Sequence, residues 1–264
     1  MASATTYRLK AFNTATASAN KIHDDAVAKA YGFRGGLVPG VDVYAYITHA
    51  PAERWGPAWL RHGSIAVRFD HPVYDGQRIT VTASAQDGPG GEELRVVVTD
   101  PDGVACATAT ASLRALVDER PLPAAAPLPT IRPPASAAAL PPGATLGSLS
   151  DVLDLERHRT YLADVRETLP IYTEQPCAHP GWLLRFANTV LSSNVELGPW
   201  IHVASDVTLL GLTLPGQAID VRAAVVEETE RKGHRFAELD VAVLADGQLV
   251  QRIHHTAIHT PRRR

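Results

Sequence analysis

One succession of landmarks occurs twice in this chain, and few folds can satisfy both copies. Leu37-Val38-Pro39-Gly40 corresponds to Ala178-His179-Pro180-Gly181 at an offset of 141 residues. His62-Gly63-Ser64-Ile65 runs against His202-Val203-Ala204-Ser205 at 140, which also lays Asp75-Gly76-Gln77-Arg78-Ile79 on Pro215-Gly216-Gln217-Ala218-Ile219. Asp102-Gly103 and Asp246-Gly247 then pair at 144. Landmarks in one order, with offsets drifting by only a few residues, mark an internal repeat. Between the copies, residues 119–148 open with Glu119-Arg120-Pro121-Leu122-Pro123-Ala124 and stay rich in Pro and Ala, a composition that resists helix and sheet and suits an extended linker. The expected organisation is a first unit over 1–118, a linker over 119–148 and a second unit over 149–264. The two units should pack as an internal pseudo-dimer, with further homo-oligomerisation left open.

Each copy carries the same run of elements. After the Pro-Gly, Val41, Tyr44, Ala45 and Ile47 in one half, and Leu184, Phe186, Val190 and Leu191 in the other, are spaced mainly by three or four and predict a largely buried helix. Downstream, 78–83, 94–99, 238–243 and 252–257 alternate or are β-branched and predict strands, with hairpin turns at Asp102-Gly103 and Asp246-Gly247. One early helix followed by several antiparallel strands describes a sheet wrapped around that helix. It argues against a parallel nucleotide-binding sheet, as does the lack of a Gly-x-Gly-x-x-Gly between a strand and a helix.

Several function classes drop out on composition. With 45% hydrophobic and 20% charged residues, 264 residues suffice for a packed core, and a net charge of −3 with mixed signs gives no footprint for nucleic acid. The closing Arg262-Arg263-Arg264 reads as a solvated tail. Cys106 and Cys177 are too few for a disulfide framework and read as reduced apolar fillers. The amino terminus lacks the apolar centre of a signal peptide and no run approaches ~18 apolar residues, so the expected location is the cytoplasm, without a membrane partner.

The chemistry concentrates in Asn20-Lys21-Ile22-His23-Asp24-Asp25 and the turn Gly32-Phe33-Arg34-Gly35-Gly36-Leu37-Val38-Pro39-Gly40. A histidine flanked by carboxylates stands shortly before a Pro-Gly that opens an apolar helix. A helix start exposes unpaired N–H groups and the positive end of the dipole, so it can hold a developing oxyanion. His23 is the one group of the segment that ordinarily titrates near neutrality. Asp24 and Asp25 read first as cap and first-turn residues of the helix that follows.

This segment resembles the signature of the MaoC-like (R)-specific enoyl-CoA hydratases, Gly-Asp-x-Asn-Pro-hydrophobic-His-x-Asp followed by a helix and a Gly-rich turn into the central helix. The resemblance is strongest over residues 18–47; Asn20, Ile22, His23 and Asp25 fall on family positions, and Gly40 on the helix-start glycine. It implies an α+β fold, a tandem double hotdog in which each half is an antiparallel sheet wrapped around a central helix. It also implies hydration of a 2-enoyl thioester, or dehydration of the 3-hydroxyacyl form, delivered on CoA or an acyl carrier protein. In the family, the motif Asp and His hold a water and shuttle protons while the helix-start N–H binds the thioester carbonyl. Here His23, Ser18, Asn20 and Asp25 are the implied catalytic group, with Ser18 and Asn20 positioning the water. Gly40, Gly36, Val38, Asp42 and Tyr44 are the implied oxyanion and substrate contacts, and His179, at the mouth of the second central helix, either lines the acyl tunnel with them or stabilises the turn there. No metal or cofactor is implied.

The departures are specific. Ser18 stands where the family has its catalytic Asp, Ala17 replaces the motif Gly and Lys21 the motif Pro. A serine is no carboxylate base at neutral pH, although it can still hydrogen-bond a water. His23 acting alone, a carboxylate such as Asp24, Asp25 or Asp42, and a side chain crossing from the second half are the three ways to complete the site. Rival readings are a cyclase, isomerase or conjugate-addition enzyme on a carrier-bound intermediate, a non-catalytic acyl-binding subunit, and a hotdog thioesterase with Asp42 as base. Other histidines read as structural. His254 and His255 should face opposite sides of a strand and so not converge on an ion, and His62 and His202 read as equivalents sharing a structural hydrogen bond.

Overall fold

The computed structural model describes residues 4–16, 18–114 and 120–262. The expected boundary at 118/119, Ala17 and the last two arginines of the tail lie outside the described residues. In the first half, strand β1 (Thr5–Lys10) leads through a one-turn 3-10 helix (Lys21–His23) and the short α1 (Asp25–Ala30) to the long α2 (Gly40–His62). Strands β2 (Ser64–Phe69), β3 (Arg78–Gly88), β4 (Gly91–Thr99) and β5 (Ala105–Ser112) follow. The second half repeats the plan with β6 (Thr145–Val152), α3 (Leu155–Asp164), α4 (Pro180–Asn194), β7 (Ile201–Leu209), β8 (Ala218–Arg231), β9 (His234–Ala245) and β10 (Gln248–Thr260).

All ten strands form one antiparallel sheet in the order β1-β3-β4-β5-β2-β7-β10-β9-β8-β6. Read inward from either edge, each half places its first, third, fourth, fifth and second strands in the same sequence. The halves join at β2 and β7, paired from Ser64↔Thr208 to Arg68↔Ala204. Matching turns show how the sequence repeat becomes structure. The Gln77 side chain accepts from Tyr74 N at 3.0 Å and the Gln217 side chain from Leu214 N at 2.6 Å, and each closes a turn through a glycine with φ of 71° (Gly76) or 82° (Gly216).

Helices α2 and α4 lie against the sheet and touch each other. Val41, Val43, Tyr44, Ala45, Tyr46 and Ile47 are buried in succession, as are Pro180 to Leu184, so the early turns of each helix are packed around their circumference. Fully burying a side chain such as Ile47 or Leu184 contributes roughly 1.5–3 kcal/mol. Near its far end α2 is broken at Gly56 (φ 59°), because Pro57 drives the residue before it out of helical space.

The described residues between the halves, 120–144, are irregular, with turns at 136–140 and 141–144, and they are pinned to the second half. Ala135 N donates to Glu196 O at 3.0 Å and Glu196 N to Pro133 O at 2.8 Å, and Leu140 is fully buried. Strand β6 begins at Thr145, inside the span assigned to the linker, because Thr145 and Leu146 pair with Ala224 and Ala223. His62 and His202 are not equivalent either: His62 ends α2 exposed, whereas His202 is buried in β7. His254 and His255 do alternate across β10, His254 toward Glu238 at 3.1 Å and His255 toward Ser205 at 3.0 Å. No described helix is long and apolar enough to cross a membrane.

Candidate functional site

Asn20 caps the 3-10 turn that carries His23, accepting from Ile22 N at 3.3 Å. Its amide also engages Trp200 of the second half twice, Nδ2 donating to Trp200 O at 3.0 Å and Oδ1 accepting from Trp200 N at 3.2 Å. Asn20 is therefore a clamp between the halves rather than a group free to orient water. Ser18 accepts from Asn20 N at 3.1 Å and so supports the clamp.

The glycine turn is fastened around the backbone of His23. Asp25 accepts from Gly36 N at 2.7 Å, and Asn13 Nδ2 donates to His23 O at 3.1 Å. A Cβ on Gly36 would collide with the His23 carbonyl oxygen, so only glycine permits this approach. Asp24 caps α1 through Ala26 N and Val27 N, at 2.9 and 3.1 Å. Both carboxylates hold backbone, and neither lines the cavity described next.

That cavity has a volume of about 220 Å³ and an apolar wall that includes Phe33, Leu37, Val38, Val43, Val73 and Ile258. His23, Asn20, Pro39 and Gly40 reach it from the first half, together with the exposed Asp70 and His71, and Asn188, Trp200 and His202 from the second. His23 Nδ1 donates to Leu37 O at 2.7 Å, since a carbonyl can only accept, which leaves Nε2 bare of hydrogen and accepting from Asn20 Nδ2 at a long 3.4 Å. Burial holds the His23 pKa below its ordinary value, against the opposing pull of the Leu37 carbonyl and Asp42. At neutral pH the ring is thus an uncharged base.

The start of α2 is open. Pro39 offers no side-chain cap, and among the described residues nothing accepts from Gly40 N–H. The matching start of α4 is closed. His179 Nδ1 accepts from Gly181 N at 3.0 Å, and His158 Nε2 accepts from His179 N at 2.9 Å. The expectation that His179 contacts substrate is therefore corrected: the ring is 0% exposed, serves as a helix cap, and faces Glu167 at 3.4 Å rather than the cavity.

Asp42 and Tyr44 are corrected likewise. Asp42 accepts from Arg185 at 2.7 Å and Thr14 at 2.6 Å, is 0% exposed, and so is consumed in tying α2 to α4 instead of serving as a base. Tyr44 is buried away from the cavity, with its hydroxyl unpartnered. Gly36 and Asp25 line a neighbouring polar cleft, and Ser18 a second cavity that shares His23, Asn20 and Asn188 with the first. Of the residues expected at the site, His23, Asn20, Val38 and Gly40 come together on the apolar cavity.

From the second half, sequence reasoning named His179 and missed the residues that do line the cavity. Asn188, whose Oδ1 is buried without a partner, stands in α4 where the repeat has the apolar Ile47; a polar residue at that aligned position was the available signal. Trp200 and His202 carry no such mark, because the contacts that bring them to His23 join opposite halves. Among the described residues no group of three or more His, Cys, Asp or Glu is placed to hold a metal ion.

No protein-family model and no curated protein matches the chain significantly. Solved structures do match. A protein from Chloroflexus aurantiacus described as a MaoC domain dehydratase superimposes with a TM-score of 0.68 at 10% identity, over 99% of this chain and 96% of that one. A Mycobacterium tuberculosis protein with a double hotdog fold gives 0.65 at 14% identity over 98% and 96%, and a Lactobacillus plantarum protein described as an oleoyl thioesterase gives 0.58 at 12% over 99% and 97%. The chain is similar to these proteins in fold, an α+β hotdog architecture.

Proposed function

We propose that the protein acts on an acyl thioester as a MaoC-like hydratase or dehydratase, interconverting a 2-enoyl and a 3-hydroxyacyl form. The observation that carries this reading is the juxtaposition on one apolar cavity of an uncharged His23 with a bare Nε2 and the uncapped start of α2 at Gly40. The acyl chain takes the apolar wall, and Gly40 N–H donates to the thioester carbonyl. In hydration, a water held at His23 gives up one proton to Nε2 while its oxygen bonds to C3. The C2–C3 π pair moves onto the thioester oxygen as an enolate, and the proton on His23 then passes to C2. Water's two hydrogens and its oxygen all end on the product, so the ring is regenerated and no cofactor is consumed.

The tandem reading of the sheet, as two hotdog units divided near residues 119–148, belongs to the same proposal, as does delivery of the acyl group on CoA or a carrier protein. The capped helix start at His179 supports one working site per chain rather than two. Hydrolysis is disfavoured as the alternative because Asp42, its expected base, is spent on Arg185 and Thr14. The test is turnover of a panel of enoyl and 3-hydroxyacyl thioesters by wild type and His23→Ala. A loss of about 100-fold or more in kcat/KM is expected for the variant. Release of free thiol without a hydration product, or activity indifferent to His23→Ala, refutes the reading.

A further inference from the structure

Two further histidines line the cavity; His71 is exposed, whereas the ring of His202 is buried and held as firmly as that of His23. His202 Nε2 lies 3.2 Å from Ala204 O and 2.8 Å from Ser205 Oγ. A carbonyl accepts only, so Nε2 carries the hydrogen and Nδ1 is bare. Ser205 Oγ then accepts from Nε2–H, and its own hydrogen is free to donate to His255 Nδ1, 3.0 Å away. Phe69 packs edge-on against the ring at 4.8 Å, and His255 lies tilted against it at 4.3 Å.

Nδ1 is buried, has no hydrogen-bond partner, and belongs to a residue only 6% exposed that lines the cavity. A Cβ built on Gly40 would stand 2.9 Å from Nδ1, so the absence of a side chain there brings this bare acceptor against the open helix start. An unmet buried acceptor is a standing cost to the fold. A ligand that donates a hydrogen bond would remove it.

We propose that His202 supplies the second hydrogen-bond acceptor of the site. Its Nδ1 holds the water, or the 3-hydroxyl which that water becomes, in the role left vacant where Ser18 replaces a carboxylate. This inference rests on the hydratase reading of the same cavity. A water giving one proton to His23 has a second hydrogen, and His202 Nδ1 accepts from it, fixing the oxygen's lone pair toward C3. His202 itself neither gains nor loses a proton in the step. It selects substrates whose C3 oxygen carries a hydrogen.

Two near-isosteric variants separate this role from a structural one. His202→Asn can place an amide oxygen where Nδ1 stood while giving up the Ser205 contact; His202→Gln can keep a donor near Ser205 while giving up the acceptor. With the thioester panel, His202→Asn is expected within ~10-fold of wild-type kcat/KM and His202→Gln lower by ~100-fold. Equal losses, or the reverse order, overturn the proposal and leave the hydratase reading standing. Wild type that turns over no thioester overturns both.

A measurement on unmutated protein guards against variants that do not fold. In protein labelled with 15N-histidine, a non-reactive 3-hydroxyacyl thioether should move the bare His202 Nδ1 resonance upfield, whereas the analogue lacking the hydroxyl should not. A resonance indifferent to the hydroxyl overturns the proposal.

Discussion

Buried uncharged histidines make this fold acid-sensitive by an amount that follows from their surroundings. Burial, with the nearby His179, lowers His158 to about 4, and burial lowers His202 to about 3, from an ordinary 6.5. Below pH 6.5 the unfolded chain takes up a proton at each position that the native state refuses. The stability each contributes is therefore present above 6.5 and drains as pH falls toward the native value. Integrated from pH 7 to pH 5, each contributes a loss of roughly 2 kcal/mol, so about 4 kcal/mol for the pair. His255, held well below its ordinary value by burial, adds in the same direction. His49 works against the trend, because its hydrogen bond to Glu167 raises its pKa despite burial, and the stability from that pair is fully present below 6.5. Glu167 has a pKa lowered by His179 and His49 against burial, so its contribution is intact above 4.5 and does not enter this window.

The assay is urea unfolding at half-unit steps from pH 7 to pH 5, followed by the fluorescence of Trp55, Trp59, Trp182 and Trp200. His158→Gln can keep an acceptor for His179 N–H and removes one titrating group, so it should flatten the fall by about 2 kcal/mol. An unfolding free energy that stays level or rises as pH drops, or a His158→Gln variant with an unchanged slope, refutes the argument.

Gly36→Ala should cost both folding and activity, because the new methyl collides with the His23 carbonyl and the turn that positions Nδ1 has to move; kcat/KM is expected to fall ~100-fold or more, with a lowered unfolding midpoint. A variant with wild-type turnover would show that the loop does not set the ring. Asp42→Ala strands Arg185 between α2 and α4 and is expected to destabilise by about 3 kcal/mol in denaturant unfolding. Neither wild type nor Asp42→Asn should release free thiol, and hydrolysis by wild type that is lost in Asp42→Asn would revive the carboxylate as a base.

Much of the scaffold was legible because it depends on local chemistry. The repeated Pro-Gly, the Gln77 and Gln217 turns and the apolar spacing of Val41 to Ile47 each act within a few residues. The Pro-Gly helix starts, the strands and the turns appear where those patterns put them. The pairing of Asn20 and His23 with the glycine turn was legible for the same reason, since all of it lies within residues 20–40. What the second half would place beside them was not. Asp42 looks like a free carboxylate at a helix start until Arg185, 143 positions away in sequence, arrives on it. His179 looks like an entrance residue until α3 delivers His158 to its N–H and its own ring turns back onto Gly181.

The sequence by itself carried a repeated pattern, with a helix opening at Pro-Gly in each copy and a histidine beside the first of these openings. Only the tertiary structure decided that one opening is a cavity and the other is sealed, and that Asn188, Trp200 and His202 complete the first. Helix and turn preferences are settled by neighbours in the chain. Which lone pair is left bare, and which N–H is left uncapped, is settled by groups that the sheet and the two packed helices bring together from opposite halves.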